Sequence, residues 1–240
     1  PASGMMRVAL GWGRHELLRR DPEAAVERFR EAARLAEGIG HHGFQAFALV
    51  EQAEALLLMR RDSDAVPVLG RATELIHRAY RPGHLLAISS QQSLAHAFQR
   101  GQQPLRAIST LDSLVEQLSQ ARPGSPALAG TLVNLGLVHL RSADESPGGP
   151  SQGHERAREV LEAALLIFSG LDDPEGMAAA EANLAELAFA QGYQAEAIEL
   201  YARAKAHLEE LFPANDPRVT SLDDELARAR ASKKTRTPQH

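Results

Sequence analysis

Two asparagines occur in the same short pattern, Asn-Leu followed by a small residue, in "LVNLGLVHL" (132–140) and "EANLAELAF" (181–189). Asparagine is a middling helix former, because its amide competes with the backbone for hydrogen bonds. The carboxamides of Asn134 and Asn183 each carry donors and an acceptor, so one side chain can satisfy both the N–H and the C=O of an extended peptide. The alternative is a structural role, in which the two amides cap or bridge neighbouring helices.

The sequence lacks the motifs that mark common catalytic and metal sites. With no cysteine, disulfides, thiolate zinc sites and cysteine nucleophiles are excluded. There is no Gly-x-Ser-x-Gly, no phosphate-binding glycine loop and no His-Glu-x-x-His. His96 and His139 fall in neighbouring helices, with Glu54 or Glu186 as conceivable co-ligands, but none of them forms the paired helical spacing of a metal site. We therefore expect no enzyme, no metal and no cofactor.

The composition is that of an ordinary globular protein. Of 240 residues, 44% are hydrophobic and 24% charged, with a net charge of -5. That mild negative charge gives no reason to expect nucleic acid or an anionic membrane as a partner. No apolar run approaches the roughly 20 residues that cross a bilayer. The lack of cysteine fits a reducing, cytoplasmic setting, and the excess of Arg over Lys with abundant Ala favours a GC-rich bacterial source.

Apolar residues recur at helical spacing nearly everywhere, as in "AAVERFREAARLA" (24–36) and "AIELYARAKAHLEEL" (197–211). Positions i, i+3, i+4 and i+7 are apolar, which predicts amphipathic helices, and clusters of Pro and Gly separate them. No strand or hairpin pattern stands out. The sequence therefore predicts an all-α fold.

The helices repeat in pairs. A motif of Ala, a bulky apolar residue four later and a small or apolar residue three after that recurs five times. Its first alanines are spaced by 40, 42, 50 and 40 residues, and a small residue precedes each motif in the helix before it. We call the two helices of a pair helix A and helix B, and we number helix A so that this small residue is position 8. The small residues are Gly13, Ala53, Ala95, Gly136 and Ala185.

This pattern resembles the tetratricopeptide repeat (TPR), most closely in "NLAELAFAQGYQAEAIELYARAKAHLEELFP" (183–213). The period near 40 is similar to the long-period TPRs of kinesin light chains, of bacterial peptide-pheromone receptors and of sensor regions in bacterial ATP-dependent transcription activators. The resemblance implies a right-handed α-α superhelix of about five helix pairs plus a capping helix. The Trp and Tyr positions of the TPR consensus are mostly Leu, Ala or Gln here.

The resemblance also implies a site. In TPR solenoids, positions 2, 5, 6, 9, 12 and 13 of helix A face a concave groove, and both asparagines occupy position 6. Trp12, at position 7, is expected to pack in the core. Apolar side chains in a solvated groove usually mark a partner site. The predicted groove residues are Asn134, Asn183, Phe47, Val50, Leu57, His96, Leu137, Arg141, Glu186 and Phe189.

The expected segment boundaries follow from the clusters of Pro and Gly between the helices. Residues 1–4 are interpreted as a vector remnant or a cut from a longer protein, and residues 5–212 as the solenoid. The remaining bounds are repeats at 5–40, 44–81, 84–122, 126–171 and 175–212, a flexible insert at 142–153, a capping helix at 216–232 and a basic tail at 233–240.

The functional hypothesis is a non-catalytic scaffold that binds an extended or helical segment of another protein in the groove. One alternative is the sensor region of a larger bacterial transcription regulator. Another is a homo-oligomerisation module, possible because apolar faces of repeat proteins often pair. The groove could also be covered by the chain's own C-terminal helix. The sequence does not name the partner.

Overall fold

Helices make up almost all of the chain that the structure describes. The computed structural model describes residues 2–81, 83–145 and 148–235, and no strand occurs within those ranges. The all-α prediction is therefore confirmed. The elements are α1 (Ala2–Leu18), α2 (Pro22–Gly38), α3 (His42–Leu58), α4 (Asp62–Ala79), α5 (Leu85–Arg100), α6 (Pro104–Ala121), α7 (Pro126–Arg141), a 3₁₀ turn (Ala143–Glu145), α8 (Gly149–Gly170), α9 (Pro174–Ala190), α10 (Gln194–Glu209) and α11 (Pro217–Thr235).

The chain divides into two compact units, Pro1–Ala121 and Arg122–His240. In the first unit, α1 to α6 form three A/B pairs, and each helix packs against the next in the chain. In the second unit, α7/α8 and α9/α10 form two pairs, and α11 packs against α10. Helices A of adjacent pairs are also in contact within each unit. Helix α3 contacts α5 in the first unit, and α7 contacts α9 in the second.

Local sequence explains where several helices begin. Asp21, Ser125 and Asp173 each accept a hydrogen bond from a backbone N–H of the first helical turn, at 3.0, 3.2 and 2.9 Å. Each of these residues is followed by a proline at the first helical position. These caps satisfy N–H groups that have no partner inside the helix, and proline lacks the N–H that would be unsatisfied there.

The core follows the repeated motif. The five motif alanines have no exposed surface, and the bulky residues four positions later are at most 3% exposed. Position 8 must be small because helix B lies directly over it. A Cβ on Gly13 would lie 2.5 Å from the Phe29 ring, and a Cβ on Gly136 would lie 2.6 Å from Cγ of Leu161. The motif alanines are Ala25, Ala65, Ala107, Ala157 and Ala197.

One sequence expectation needs correction, because Trp12 is 51% exposed rather than packed in the core. Within the predicted insert at 142–153, the 3₁₀ turn covers Ala143–Glu145 and α8 begins at Gly149. Helical structure extends from Ala2 at one end to Thr235 at the other. Residues 1, 82, 146, 147 and 236–240 lie outside the described residues.

Candidate functional site

Each helix A keeps one face largely uncovered. On α7 and α9 the residues at frame positions 3, 4, 7, 8, 10 and 11 are all buried, whereas positions 2, 6, 9 and 13 are half-buried or exposed. These four positions follow the spacing i, i+4, i+7 and i+11, which places them on one side of a helix. We call this set the open stripe. It consists of Gly130, Asn134, Leu137 and Arg141 on α7, and of Ala179, Asn183, Glu186 and Ala190 on α9.

The two asparagines occupy the same position on neighbouring helices. Asn134 is exposed and Asn183 is half-buried, and their helices α7 and α9 are in direct contact. Nδ2 of Asn183 donates a hydrogen bond to the carbonyl oxygen of Ala179, one turn earlier in α9, at 2.8 Å. This bond uses one of the two N–H donors of the side-chain amide and does not involve the carbonyl oxygen of that amide. An amide held in this way can still present a donor and an acceptor to the solvent.

Helix α11 borders the open stripe of α9. The guanidinium of Arg228 lies over the half-buried ring of Phe189, 5.1 Å from its centroid. Phe189 also packs against a core cluster that includes Leu222 and Leu226 of α11. Phe189 is therefore a predicted groove residue that the C-terminal helix, α11, partly covers.

Tyr201, which is buried on α10, remains a neutral phenol. Burial raises the pKa of Tyr201 to about 12, with further increases from the nearby carboxylates of Glu225 and Glu186 and a partial offset from Arg228. The hydroxyl is therefore protonated across the physiological pH range, and Arg228 is the charged side chain that lies over the Phe189 ring.

At position 6, α3 of the first unit carries the carboxylate of Glu51, whereas α7 and α9 of the second unit carry the amides of Asn134 and Asn183. On α3 the open stripe is Phe47, Glu51, Glu54 and Leu58. Nε of Arg14, on α1, donates to Oε1 of Glu51 at 3.1 Å. The Arg14 guanidinium also lies 5.1 Å from the Phe47 ring centroid. The hydrogen bond to Glu51 raises the pKa of Arg14, and desolvation followed by the charge of Glu51 raises the pKa of Glu54.

Two predicted groove residues lie in the core instead. Val50 is 3% exposed and Leu57 is 9% exposed, and both belong to the main buried cluster of the first unit. Leu58, one position beyond Leu57, is 69% exposed and completes the open stripe of α3. The frame assigns both Leu57, at position 12, and Leu58, at position 13, to the groove, but Leu58 was not among the predicted groove residues. His96, on α5, is exposed.

Nothing in the described part of the chain forms a metal-binding cluster. No group of three or more His, Asp or Glu side chains is positioned to hold an ion among the described residues. Within the same residues, no helix combines the length and the hydrophobicity that a membrane span requires.

Comparisons with known proteins show the class of fold. No family model matches this chain, and no curated protein matches its sequence. Solved structures do match. Nearly identical TPR-like repeats of a kinesin light chain from Podosopora anserina superpose with a TM-score of 0.69 at 20% identity, covering 87% of this chain and 97% of that one.

Two larger proteins contain the same fold. A signal transduction ATPase with a tetratricopeptide repeat sensor, from Pyrococcus horikoshii, matches with a TM-score of 0.72 at 15% identity, covering 92% of this chain and 32% of that one. Aspartyl phosphate phosphatase F of Bacillus subtilis matches with a TM-score of 0.78 at 14% identity, covering 98% of this chain and 58% of that one.

The chain therefore has the helix-pair architecture of TPR-like solenoid proteins. At identities of 14–20% these likenesses show the fold alone. Activity and partner have to be argued from the side chains of this chain, because one fold hosts many functions.

Proposed function

We propose that this chain is a non-catalytic protein-binding module that holds an extended peptide segment on the open stripes of α7 and α9. The observation that carries the proposal is the position of Asn134 and Asn183, at one frame position on two helices in contact, on a face that the second unit leaves uncovered. Two amides so placed offer a repeated donor and acceptor to a peptide backbone, whatever its side chains.

The surroundings of the asparagines supply the other elements of a peptide site. Leu137 is half-buried beside Asn134 on the same stripe, and half-buried Phe189 lies next to the stripe of α9, so both offer apolar contact. Arg141 and Glu186 carry opposite charges at or near the ends of the two stripes. A peptide with small apolar side chains between a carboxylate and a basic group fits this arrangement, because charged groups at a rim set orientation more than affinity.

The local bond of Asn183 is compatible with this role. An amide already hydrogen-bonded to Ala179 keeps a fixed rotamer, so less side-chain entropy is lost when a peptide binds. Phe47 and His96 belong to the open stripes of the first unit and are predicted contacts of that unit alone, and Val50 and Leu57 have no part in the proposal because they are buried. A cytoplasmic location is part of the same proposal, as expected for a cysteine-free chain.

Peptide selection followed by calorimetry tests the proposal. Random linear peptides displayed on phage are selected on the immobilised chain, and the best binder is titrated by isothermal calorimetry. Four hydrogen bonds to the peptide are lost, and each is worth about 0.5–1 kcal/mol, so Asn134→Ala/Asn183→Ala should weaken binding about 30- to 1,000-fold.

The control is Ser93→Ala, which removes a polar group from the same frame position on α5, in the first unit. It should bind the peptide like the wild type. Equal affinity of the double asparagine variant and the wild type, or selection of no peptide at all, would overturn the backbone-clamp mechanism.

A second candidate function is the sensor region of a larger regulator. It is favoured by the likeness to the Pyrococcus horikoshii ATPase, of which this fold is one part, 32% of that chain. The complete gene tests it directly. An encoded nucleotide-binding domain in the same reading frame supports the sensor role, and a gene that encodes the helical repeats alone rejects it.

A further inference from the structure

A hollow in the first unit lies between α2 and α4, with α3 as its floor. Its volume is about 370 Å³, which is in the range of sites for small molecules. The residues of α3 that line it are Gln45, Leu49 and Gln52, spaced as i, i+4 and i+7. This spacing places them on one side of the helix, opposite to its open stripe, so the hollow is separate from the open stripes described above. We call it the α3 hollow.

Two glutamines on the floor of the α3 hollow are buried without a partner. Gln45 is 3% exposed and Gln52 is 5% exposed, and neither side-chain amide forms a hydrogen bond with any described residue. Both residues line the hollow, so what remains exposed of them faces its interior. Buried polar groups are nearly always hydrogen-bonded, because an unpaired group has lost its water without compensation. Two unpaired amides on one floor therefore indicate a ligand that pairs with them.

The same face in the second unit shows how the chain itself can satisfy a buried polar group. Glu181 on α9 occupies the frame position of Leu49, and its Oε1 lies 3.0 Å from Nε of Arg203 on α10. Arg71 on α4 is the frame equivalent of Arg203, six residues after the motif alanine. Because α3 has leucine in place of this glutamate, the guanidinium of Arg71 pairs instead with Glu37 of α2, at the rim of the hollow.

The rim of the α3 hollow is positively charged. It carries Arg30 and Arg34 of α2 and Arg71 of α4, together with one carboxylate, that of Glu37. Three guanidinium groups and one carboxylate leave the rim with a formal charge of +2 at neutral pH. Arg34 forms no ion pair with any described residue. The frame equivalents of Arg30, Arg34 and Glu37 on α8 are Glu162, Leu166 and Ser169, so the packing of the repeat does not require these charges.

We propose that the α3 hollow binds a nucleoside monophosphate, with the phosphate on the arginines of the rim and the base against the two glutamine amides. A phosphate monoester carries nearly two negative charges at neutral pH, which matches the charge of the rim. Guanidinium groups bind phosphate oxygens through pairs of parallel hydrogen bonds. The proposal is independent of the peptide site, which lies in the second unit.

The inner surface of the α3 hollow suits a flat ring with polar edges. Apolar side chains from all three helices line it, namely Ala33, Leu49, Pro67 and Val68. These side chains can pack against the faces of a base, and a glutamine amide offers the paired donor and acceptor that match the edge of a base. Inorganic phosphate would leave both amides unpaired, and a sugar phosphate has no flat apolar face to place against this surface.

Calorimetry with defined probes tests the proposal. The monophosphates of adenosine, cytidine, guanosine and uridine, and inorganic phosphate, are each titrated into the whole chain at up to about 1 mM, the upper end of usual affinities for small substrates. At least one nucleoside monophosphate should bind with a stoichiometry of one, more tightly than inorganic phosphate, and added salt should weaken it because the arginines are exposed.

Substitutions separate the two parts of the site. Arg34→Gln and Arg71→Gln should each weaken nucleotide binding about 10-fold, since each removes charge-assisted hydrogen bonds to the phosphate. Gln45→Leu/Gln52→Leu should also weaken it about 10-fold but leave the affinity for inorganic phosphate unchanged. This double variant should fold at least as stably as the wild type, because leucine replaces amides that have no partner. Arg78→Gln, at an exposed arginine of α4 outside the hollow, is the matched control and should bind like the wild type.

Three results would overturn the proposal. The first is that none of the four nucleoside monophosphates binds. The second is that inorganic phosphate binds as tightly as the best of them, which would make the occupant an adventitious ion only. The third is that Arg78→Gln weakens binding as much as Arg34→Gln, which would indicate diffuse attraction rather than a site. Asn134→Ala/Asn183→Ala should bind the nucleotide like the wild type, which separates this test from that of the peptide site.

Discussion

The open stripes of α3 and α9 belong to the same repeat design but present different polar groups. At position 6, α3 carries Glu51, which is tied to Arg14 on the neighbouring helix A. At the same position, α9 carries Asn183, whose hydrogen bond goes to its own helix. The polar group of the first unit is thus committed to a contact between helices, whereas that of the second stays available to a ligand.

The difference shows how a repeat chain can keep one packing scheme and vary its function. Positions 3, 4, 7, 8 and 10 are buried in both α3 and α9. The open stripe carries no such packing constraint, so a carboxylate and an amide can replace each other there without altering the core.

Adding one methyl group at position 8 should have the largest effect, and a similar one in both units. Gly13→Ala and Gly136→Ala each force a Cβ against a buried side chain of helix B, so each should lower the free energy of unfolding by about 2 kcal/mol. Chemical denaturation followed by circular dichroism measures the change.

Each of these variants has a matched control on the same helix. A Cβ on Gly11 or Gly130 meets no atom within 4 Å, so Gly11→Ala and Gly130→Ala should stabilise by about 0.5–1 kcal/mol through helix propensity. If only one of Gly13→Ala and Gly136→Ala lowered the free energy of unfolding, the packing at position 8 would differ between the two units.

A buried carboxylate should make the second unit sensitive to pH at a place where the first unit has a leucine. Glu181 on α9 is 4% exposed, and the same frame position on α3 is Leu49. Burial raises the pKa of Glu181, although Arg203, at 3.0 Å, and His207, at 3.5 Å, act in the opposite direction.

The sign of the pH effect follows from the raised pKa. The folded state binds the proton of Glu181 more tightly than the unfolded state, so this stabilisation is complete below the ordinary pKa near 4.5 and is lost as the pH rises through the folded value. Relative to Glu181→Gln, the wild type should therefore lose stability as the pH rises above about 4.5, and this loss should be smaller than that caused by Gly13→Ala or Gly136→Ala. Denaturation at several pH values measures it, and a relative gain by the wild type would mean that its ion pairs outweigh burial.

The ion pair of the first unit should contribute only modestly to stability. The Arg14 side chain is 54% exposed, so solvent screens its interaction with Glu51. A double-mutant cycle with Arg14→Ala and Glu51→Gln should give a coupling energy of about 0.5–1 kcal/mol, and added salt should reduce it. A coupling that is larger and insensitive to salt would identify the pair as a structural element of the unit.

The smallest expected effect is on the stability of the second unit. Asn183→Ala removes a hydrogen bond on a partly solvated helix face and replaces asparagine by a better helix former, so the two changes largely cancel. The free energy of unfolding should change by no more than about 0.5 kcal/mol. A loss well above that value would assign Asn183 a structural role and weaken the proposal that it is kept for binding.

The sequence predicted the core of the repeats well because the core depends on short-range spacing. Motif alanines such as Ala25 and Ala197 and bulky residues such as Phe29 and Tyr201 are buried as their frame positions imply. This part is predictable because helix periodicity alone brings these positions to one face.

The edges of each face were less predictable. Leu57 and Leu58 differ by one position, and their burial is set by how the neighbouring helices cross, which the periodicity does not contain. Trp12 occupies a packing position of the frame, but the frame does not say whether a helix covers it. The hydrogen bond of Asn183 to Ala179 depends on a side-chain rotamer, which a sequence pattern does not specify.

The packing of α1 also determines how easily this helix detaches from the first unit. Its principal neighbour is α2, and its side-chain contacts with α3 include the screened Arg14–Glu51 pair and the Arg14 guanidinium over the Phe47 ring. Detaching α1 therefore breaks fewer contacts than unfolding the whole unit, and it uncovers the Phe29 ring that fills the space beside Gly13. Amide hydrogens of α1 should exchange at a free energy well below that of α3, which packs against helices on both sides. A protease that cuts within α1 then acts on the state in which this helix has detached rather than on the globally unfolded chain.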